Sequence, residues 1–195
     1  MKLLYTPNSP YSRVARICAL QQQSKLEFEA VGVREKAGRI LDHNPAAIVP
    51  TLVLDDGNFL TETRLICEYL EDSGPGGFVA NRGDLEGRHR EGFVNNLLDG
   101  VAVWIREIRR PADEQSPAII ALEKARFERC SAYLEHHWDS GDLELSYASA
   151  MLASAIELID TRVSVNWRDS CPGLADWYAR ISANELLKRT APLPP

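Results

Sequence analysis

The chain has 195 residues, and its 22 Lys and Arg against 28 Asp and Glu give a net charge of −6. With 45% hydrophobic and 26% charged residues, the composition is that of a globular protein, which excludes the disordered and fibrous classes. The acidic balance argues against nucleic acid and anionic membrane surfaces as partners, because both require clustered Lys and Arg. The length fits one large domain or two small ones.

Signals for membrane insertion, export, metal binding and nucleotide binding are all weak. The longest apolar stretch, residues 148–159, is interrupted by polar side chains and is too short to span a bilayer. The amino-terminal residues do not form a signal peptide, so we expect a cytoplasmic protein. The four cysteines contain no Cys-x-x-Cys pair, the adjacent His136 and His137 point to different sides of a helix, and no glycine-rich phosphate loop follows a strand. We therefore predict no metal and no nucleotide cofactor.

Strand and helix signals alternate over the first part of the chain. Residues 2–5 form a short apolar strand, and helical spacing of apolar residues begins after Pro10. Residues 26–30 alternate as a second strand, and a short helical pattern follows, which ends at Asn44-Pro45. This order predicts a β-α-β-α unit.

A hairpin and a third helix complete this first domain. Asp-Gly lies between the apolar runs 51–54 and 58–60, and this pair is a strong hairpin signal because both turn residues tolerate positive φ. The third helix begins at Glu62-Thr63 and ends before the glycine-rich segment 73–77. We predict a βαβαββα domain over residues 1–75 and a linker over 76–82.

The rest of the chain, residues 83–195, shows only helical spacing. A long amphipathic helix continues to Pro111, and Ser116-Pro117 opens a second helix as N-cap and first helical residue. Ser146 caps a third helix, and Pro172-Gly173 precedes a shorter fourth. We predict an all-α helical bundle.

Ser9-Pro10 lies where the first strand passes into the first helix. A serine hydroxyl at that point lies beside the free N–H groups and the positive end of the helix dipole. A thiol bound there would ionise more readily, because both the dipole and a donated hydrogen bond favour the thiolate. An ordinary N-cap explains the same residues.

Two further pairs flank the predicted hairpin. Val49-Pro50 heads a strand, where proline is tolerated and where its peptide bond can be cis. Glu62-Thr63 opens the third helix, where an acid and a hydroxyl satisfy free N–H groups. Capping alone accounts for the second pair.

Taken in order, these motifs resemble the N-terminal half of a cytosolic glutathione S-transferase. The residues that carry the resemblance are Ser9-Pro10, Arg13, Asn44-Pro45, Val49-Pro50-Thr51-Leu52, Leu60-Thr61-Glu62-Thr63, Ile66, Tyr69 and Leu70, with Pro172, Leu174, Trp177, Tyr178 and Arg180 near the C-terminus. The subset with serine at the first helix, which includes bacterial members, is the most similar. The resemblance implies a thioredoxin-like domain followed by an all-α domain, glutathione as co-substrate, and a cytoplasmic homodimer that acts in detoxification.

The resemblance also implies a role for each matching residue. Ser9 would donate a hydrogen bond to the glutathione sulfur and act as the catalytic residue. Val49 would pair its backbone with the cysteinyl unit, and Pro50 would be the cis proline that turns this backbone toward the ligand. Glu62 and Thr63 would hold the γ-glutamyl end.

The implied reaction is attack of the glutathione thiolate on an electrophilic small molecule, which is expected beside Tyr11 and Trp104. Tyr5 is a rival to Ser9, because other branches of the family use a tyrosine at the end of the first strand. Core packing is the alternative role for Trp104. A serine at position 9 disfavours disulfide exchange through a protein cysteine.

Two departures from the family pattern bear on these expectations. Ile48 stands where many members have lysine or another polar residue, so Arg39 or His43 would have to bind the glycine carboxylate. Ile48 also favours the alternative function, a glutathione-binding or regulatory interaction protein with little turnover. In Ser146-Tyr147-Ala148-Ser149, serine stands where the family usually has the aspartate of a helix capping box, so we expect that helix start to be weaker by about 1 kcal/mol.

Overall fold

The structure is a computed structural model, and it describes residues 1–33, 38–163 and 165–193. The chain divides into two compact units. Of the described residues, the first unit comprises Met1–Asn81 together with residues 185–193, and the second comprises Arg82–Asn184. No helix in the described ranges has both the length and the apolar character that a membrane crossing requires.

The first unit is a mixed sheet with helices. Its elements up to residue 71 are β1 (Lys2–Tyr5), α1 (Pro10–Gln21), β2 (Glu27–Ala30), α2 (Gly38–Leu41), β3 (Thr51–Val53), β4 (Phe59–Thr61) and α3 (Thr63–Glu71). The four strands lie in the order β2-β1-β3-β4, with β1 parallel to β2 and both other pairs antiparallel. This is the thioredoxin-like arrangement, and it confirms the predicted fold class.

Apolar side chains on the central strands form the core of this unit. Leu3 of β1 lies opposite Leu52 of β3, and both are fully buried. Val14 and Ile17 of α1 and Ile66 of α3 are fully buried as well. Burial of these side chains holds the first turn of α1 and the start of α3 in fixed positions relative to the sheet.

The β3–β4 hairpin follows the sequence prediction. Gly57 has a φ of +87°, which glycine adopts without steric penalty. The Asn58 N–H donates to Asp56 Oδ1 at 2.9 Å, which closes the turn.

The segment predicted as a linker begins with residues that are bound to the first unit. The Gly76 N–H donates to Gln22 Oε1 at 2.9 Å, and the Val79 N–H donates to Glu71 Oε2 at 2.8 Å. Gly74 permits this approach, because an added Cβ would lie 2.8 Å from the Gln22 Cβ. Buried Phe78 adds apolar contact.

The second unit is helical, as predicted. It contains α4 (Leu85–Ile108), a 3-10 turn (Ala112–Glu114), α5 (Pro117–His137), α6 (Tyr147–Arg162) and α7 (Pro172–Ile181). Ser116 caps α5 and Ser146 caps α6, each through its side-chain oxygen. Helix α6 is the centre of the unit, because most of its residues are buried.

Side chains satisfy N–H groups at the start of two helices in this unit. At α6, the Ser149 N–H donates to Ser146 Oγ at 3.3 Å and the Ser146 N–H donates to Ser149 Oγ at 2.8 Å, so two serines complete the capping box. The hydroxyls thus satisfy both N–H groups, and the lower stability of this helix start relative to one with aspartate stays a prediction. At α7, Glu135 accepts from the Gly173 N–H at 2.9 Å and the Leu174 N–H at 2.8 Å.

A final short helix, α8 (Glu185–Arg189), belongs to the first unit. From the sequence we predicted no separate helix here and included these residues in the helical domain 83–195. The difference arises because α8 packs on α1, where Leu187 and Thr190 are both buried.

Candidate functional site

Ser9 is the N-cap of α1. Its backbone is extended (φ −85°, ψ 119°), and its Oγ accepts a hydrogen bond from the Ser12 N–H at 3.1 Å. This bond uses a lone pair of the oxygen and leaves the hydroxyl proton available for donation. The partly exposed Ser9 hydroxyl thus lies at the positive end of a helix of 12 residues.

The rival hydroxyl, Tyr5, lies in a different environment. The Tyr5 ring packs edge-on against Phe28, with a centroid separation of 6.4 Å, and the Arg16 guanidinium carbon lies 4.6 Å from its centroid. Arg16 follows Ser9 by seven residues in the chain, which corresponds to about 10 Å along a helix axis. Burial lowers the pKa of the Arg16 guanidinium, which nevertheless stays charged over the ring. This packing holds the Tyr5 ring beside the middle of α1, whereas Ser9 is at its start.

A hydrogen-bond network fixes the loop before β3. The Asn44 side-chain amide, which is buried, donates to Thr51 Oγ1 at 2.9 Å. Thr51 Oγ1 donates in turn to the Ile48 carbonyl at 2.8 Å. The Val49–Pro50 peptide bond that follows is cis.

The backbone of Val49 is unpaired within the described part of the chain. Neither its N–H nor its carbonyl makes a hydrogen bond to another described residue. The Val49 side chain packs against the cluster of Leu4, Ile40 and Val53. The loop therefore offers one donor and one acceptor from a backbone that is held by packing and by the Asn44 network.

Glu62 caps α3 from an unusual backbone conformation. Its φ of 77° and ψ of 128° lie in a region that residues with a Cβ rarely adopt. Its carboxylate accepts from the Arg64 N–H at 3.1 Å and the Leu65 N–H at 3.3 Å. Strain of this kind costs about 1–3 kcal/mol and is concentrated at functional sites.

Thr63, the first residue of α3, is buried, whereas the Glu62 side chain is exposed. The Arg64 guanidinium forms an ion pair with Glu68 and donates to the Ala80 carbonyl at 2.8 Å. These contacts tie the first turn of α3 to the segment that follows it.

The residues expected at the glycine carboxylate differ in their contacts. Ile48 is 51% exposed, so a large apolar side chain faces solvent next to the Val49 backbone. Arg39 is exposed, and its Nε lies 3.0 Å from Oε1 of the partly buried Glu29, while Lys2 Nζ lies 2.7 Å from Glu29 Oε2. His43 is exposed beside the buried Asn44.

The two residues expected to meet the electrophile have different environments. Tyr11 is partly exposed in the first turn of α1, two residues after Ser9. Trp104 is buried in α4, and its ring centroid lies 6.5 Å from that of Phe127 within the same unit. This contact with Phe127 is core packing, which is the alternative role given above for Trp104.

Two residues near Ser9 carry no signal in the local sequence pattern. Asn8 accepts a hydrogen bond from the Leu193 N–H at 2.7 Å, which a separation of 185 residues hides from any local pattern. Ser12 donates its N–H to Ser9, while its own fully buried Oγ has no partner in the described ranges. Among those residues no cluster of three His, Cys, Asp or Glu side chains could hold a metal ion.

Known proteins resemble this chain in sequence and in fold. Residues 3–77 match the family described as glutathione S-transferase, N-terminal domain. A glutathione S-transferase from Methylobacillus flagellatus KT, solved with GSH bound, has 27% sequence identity and a TM-score of 0.85, covering 98% of this chain and 99% of that one. These matches support the assignment of the chain to the glutathione S-transferase family.

Two further relatives extend over the whole chain. The uncharacterized GST-like protein YibF of Escherichia coli (strain K12) is 26% identical over 199 residues, covering 98% of each chain. A glutathione transferase family member from Pseudomonas fluorescens Pf-5, solved with bound glutathione, shares the fold with a TM-score of 0.88 at 23% identity, covering 98% of each chain. The family resemblance thus includes the helical unit as well as residues 3–77.

Proposed function

We propose that this family member is a glutathione transferase, in which Ser9 activates the thiol of bound glutathione for attack on an electrophilic small molecule. The observation that carries the proposal is the Ser9 hydroxyl at the N-cap of α1, with its oxygen accepting from the Ser12 N–H at 3.1 Å and its proton free to donate. Solved relatives with glutathione bound support the choice of ligand.

The chemistry at Ser9 is stabilisation of a thiolate. The donated O–H bond and the positive end of the α1 dipole both favour the ionised sulfur, so the thiol loses its proton to solvent at a lower pH. The thiolate then forms a bond to an electrophilic carbon, while the bond to the leaving group breaks and the leaving group departs with the electron pair. Rate comes from nucleophile activation and from proximity of the two bound molecules.

Binding of the peptide uses the other two motifs. The unpaired N–H and carbonyl of Val49, before cis Pro50, match the carbonyl and N–H of the cysteinyl unit. At the start of α3, the γ-glutamyl carboxylate would accept from helix N–H groups near Thr63, and its ammonium group would pair with the exposed Glu62 carboxylate. The strained Glu62 backbone is consistent with a binding role.

A second function is favoured by one observation, the exposed Ile48. An apolar side chain next to Val49 provides no charge for the glycine carboxylate, and Arg39 is engaged with Glu29. A protein of this kind would bind glutathione weakly and act as a regulatory or interaction partner with little turnover.

The enzyme proposal also includes a cytoplasmic homodimer with a role in detoxification. Sedimentation of the purified protein measures its oligomeric state.

Calorimetric titration with glutathione and a conjugation assay with an activated aryl halide test the two functions. The enzyme proposal predicts saturable binding and turnover in the wild type, with Ser9→Ala losing turnover while it retains binding. Tyr5→Phe is the matched control, because it removes the rival hydroxyl and is expected to keep turnover.

The outcomes separate the functions. Binding without turnover in the wild type would favour the regulatory alternative. Absence of binding at millimolar glutathione would contradict the enzyme proposal and leave a family fold that is used as an interaction module. Loss of turnover in Tyr5→Phe with retention in Ser9→Ala would assign the stabilisation of the thiolate to Tyr5 instead of Ser9.

A further inference from the structure

The loop that carries Ser9 is held on both sides by the C-terminal segment of the first unit. On the side before Ser9, Asn8 Oδ1 accepts from the Leu193 N–H at 2.7 Å. On the side after it, Arg13 Nη2 donates to the Leu187 carbonyl at 2.8 Å, and Arg13 Nε donates to Thr190 Oγ1 at 3.4 Å.

The anchors on the α1 side are buried. Arg13 is 6% exposed, Leu187 2% and Thr190 1%. Thr190 is fixed in turn, because its hydroxyl donates to the Leu186 carbonyl at 2.7 Å. Hydrogen bonds from a buried guanidinium are strong, and their loss leaves a charge without part of its compensation.

Arg13 is also linked directly to the N-cap. Its N–H donates to the Ser9 carbonyl at 2.9 Å, which is the first backbone bond of α1. Asn8 and Arg13 therefore flank Ser9 in the sequence, and both form hydrogen bonds to residues 187–193.

We propose that residues 187–193 are a positioning element of the thiolate site, which fixes the Ser9 loop so that its hydroxyl and the α1 N-terminus point at the glutathione sulfur. The inference rests on the proposed function. A donor must be held within a narrow range of distance and angle to stabilise a charge, so a loosened loop would stabilise the thiolate less.

The test compares a chain ending at Pro192, which lacks the Leu193 N–H, with a matched chain ending at Leu193, which keeps it. The readout is the pKa of bound glutathione, followed by the ultraviolet absorbance of the thiolate. We expect the shorter chain to raise this pKa by about 0.5, an approximately three-fold loss in the thiolate-to-thiol ratio. In the longer chain, Asn8→Ala is expected to raise the bound-thiol pKa by the same amount. In the shorter chain it is expected to cause no further rise, because both changes remove the same hydrogen bond between Asn8 and Leu193.

The buried contact is tested by Thr190→Val, with Thr190→Ser as the variant that retains the hydroxyl. The valine variant is expected to raise the bound-thiol pKa and to lower kcat with little change in the KM for glutathione, and the serine variant is expected to restore both. A structural role alone would lower the unfolding midpoint and leave the bound-thiol pKa unchanged.

The result that would overturn the inference is an identical bound-thiol pKa in the chains ending at Pro192 and Leu193 and in Asn8→Ala. Asn8 is exposed, so its variant keeps the test open if shortening impairs folding. Failure of the proposed function has a different signature, since the wild type itself would then bind no glutathione or leave its pKa at the free value.

Discussion

Glu62 offers a way to separate backbone strain from ligand binding. Its φ of 77° and ψ of 128° impose about 1–3 kcal/mol on any residue with a Cβ. Glycine removes this penalty and adds about 0.4–1 kcal/mol of unfolded-state entropy. We therefore expect Glu62→Gly to be more stable than Glu62→Ala by about 1 kcal/mol.

The wild type provides the reference for both variants. Each loses the carboxylate that accepts from the Arg64 and Leu65 N–H groups, a loss of about 1 kcal/mol for a helix cap. Glu62→Ala should therefore fall about 1 kcal/mol below the wild type, whereas Glu62→Gly should stay near it. Urea unfolding, followed by circular dichroism, gives the three free energies of unfolding.

Among the wild type, Glu62→Ala and Glu62→Gly, the affinity for glutathione should not change in parallel with the free energy of unfolding. Both variants lack the carboxylate proposed to pair with the γ-glutamyl ammonium, so both should lose about 1.5–3 kcal/mol of binding free energy, which calorimetry measures. The reasoning is refuted if Glu62→Gly is less stable than Glu62→Ala, as at an unstrained position. Recovery of binding in the glycine variant would show that the carboxylate is not the binding group.

Three other perturbations test the packing and electrostatics of the two units. Gly74→Ala should lower the free energy of unfolding by about 1–3 kcal/mol, because the new methyl group meets Gln22. Gly92→Ala should raise the free energy of unfolding by about 0.5 kcal/mol, because an added Cβ there has open space. Urea midpoints measure both effects. Glu135→Gln should lower the thermal midpoint through a loss of about 1 kcal/mol, because the charge that caps α7 is removed. Burial raises the pKa of the Cys67 thiol well above its usual value. The free energy of unfolding should therefore fall as the pH rises above the unfolded thiol pKa of about 8.5. Urea titrations at increasing pH should show a smaller fall in Cys67→Ala than in the wild type.

Each of these three predictions would be contradicted by a specific result. Equal effects at Gly74 and Gly92 would mean that Gln22 moves away without loss. An unchanged midpoint in Glu135→Gln would mean that the amide caps α7 as well as the carboxylate. The sign for Cys67 follows from linkage: a group that binds its proton more tightly in the folded state stabilises that state below its unfolded pKa and loses this contribution as the pH rises through its folded pKa. An identical pH profile in Cys67→Ala would contradict it.

Local chemistry made most of the fold predictable. The Asp-Gly turn, the serine N-caps at Ser116 and Ser146, and the proline at the start of α5 each act within a few residues, and the structure has them where the patterns indicated. The order of strand and helix signals then specified the fold class. The motifs at Ser9, Val49-Pro50 and Glu62-Thr63 were visible for the same reason.

Long-range contacts account for what the sequence did not reveal. The grouping of α8 with the first unit depends on Arg13 and on contacts that span more than 170 residues. The cap of α7 comes from Glu135, which is 38 residues away from Gly173. The capping box of α6 is local, but the sequence analysis did not consider that a serine hydroxyl at the fourth position could accept from the Ser146 N–H in place of the aspartate. Side-chain contacts between residues far apart in the chain, which no local pattern shows, decided the grouping of α8 and the cap of α7.

The central claim is that Ser9 stabilises the thiolate of bound glutathione. Its most direct test is a pH titration of the ultraviolet thiolate absorbance of glutathione bound to the wild type and to Ser9→Ala. The account predicts a wild-type pKa below the free thiol value of about 8.5 and a rise of about 1 pH unit or more in the variant, since hydrogen bonds to charged groups contribute about 1.5–3 kcal/mol. Equal pKa values in the two proteins would contradict it.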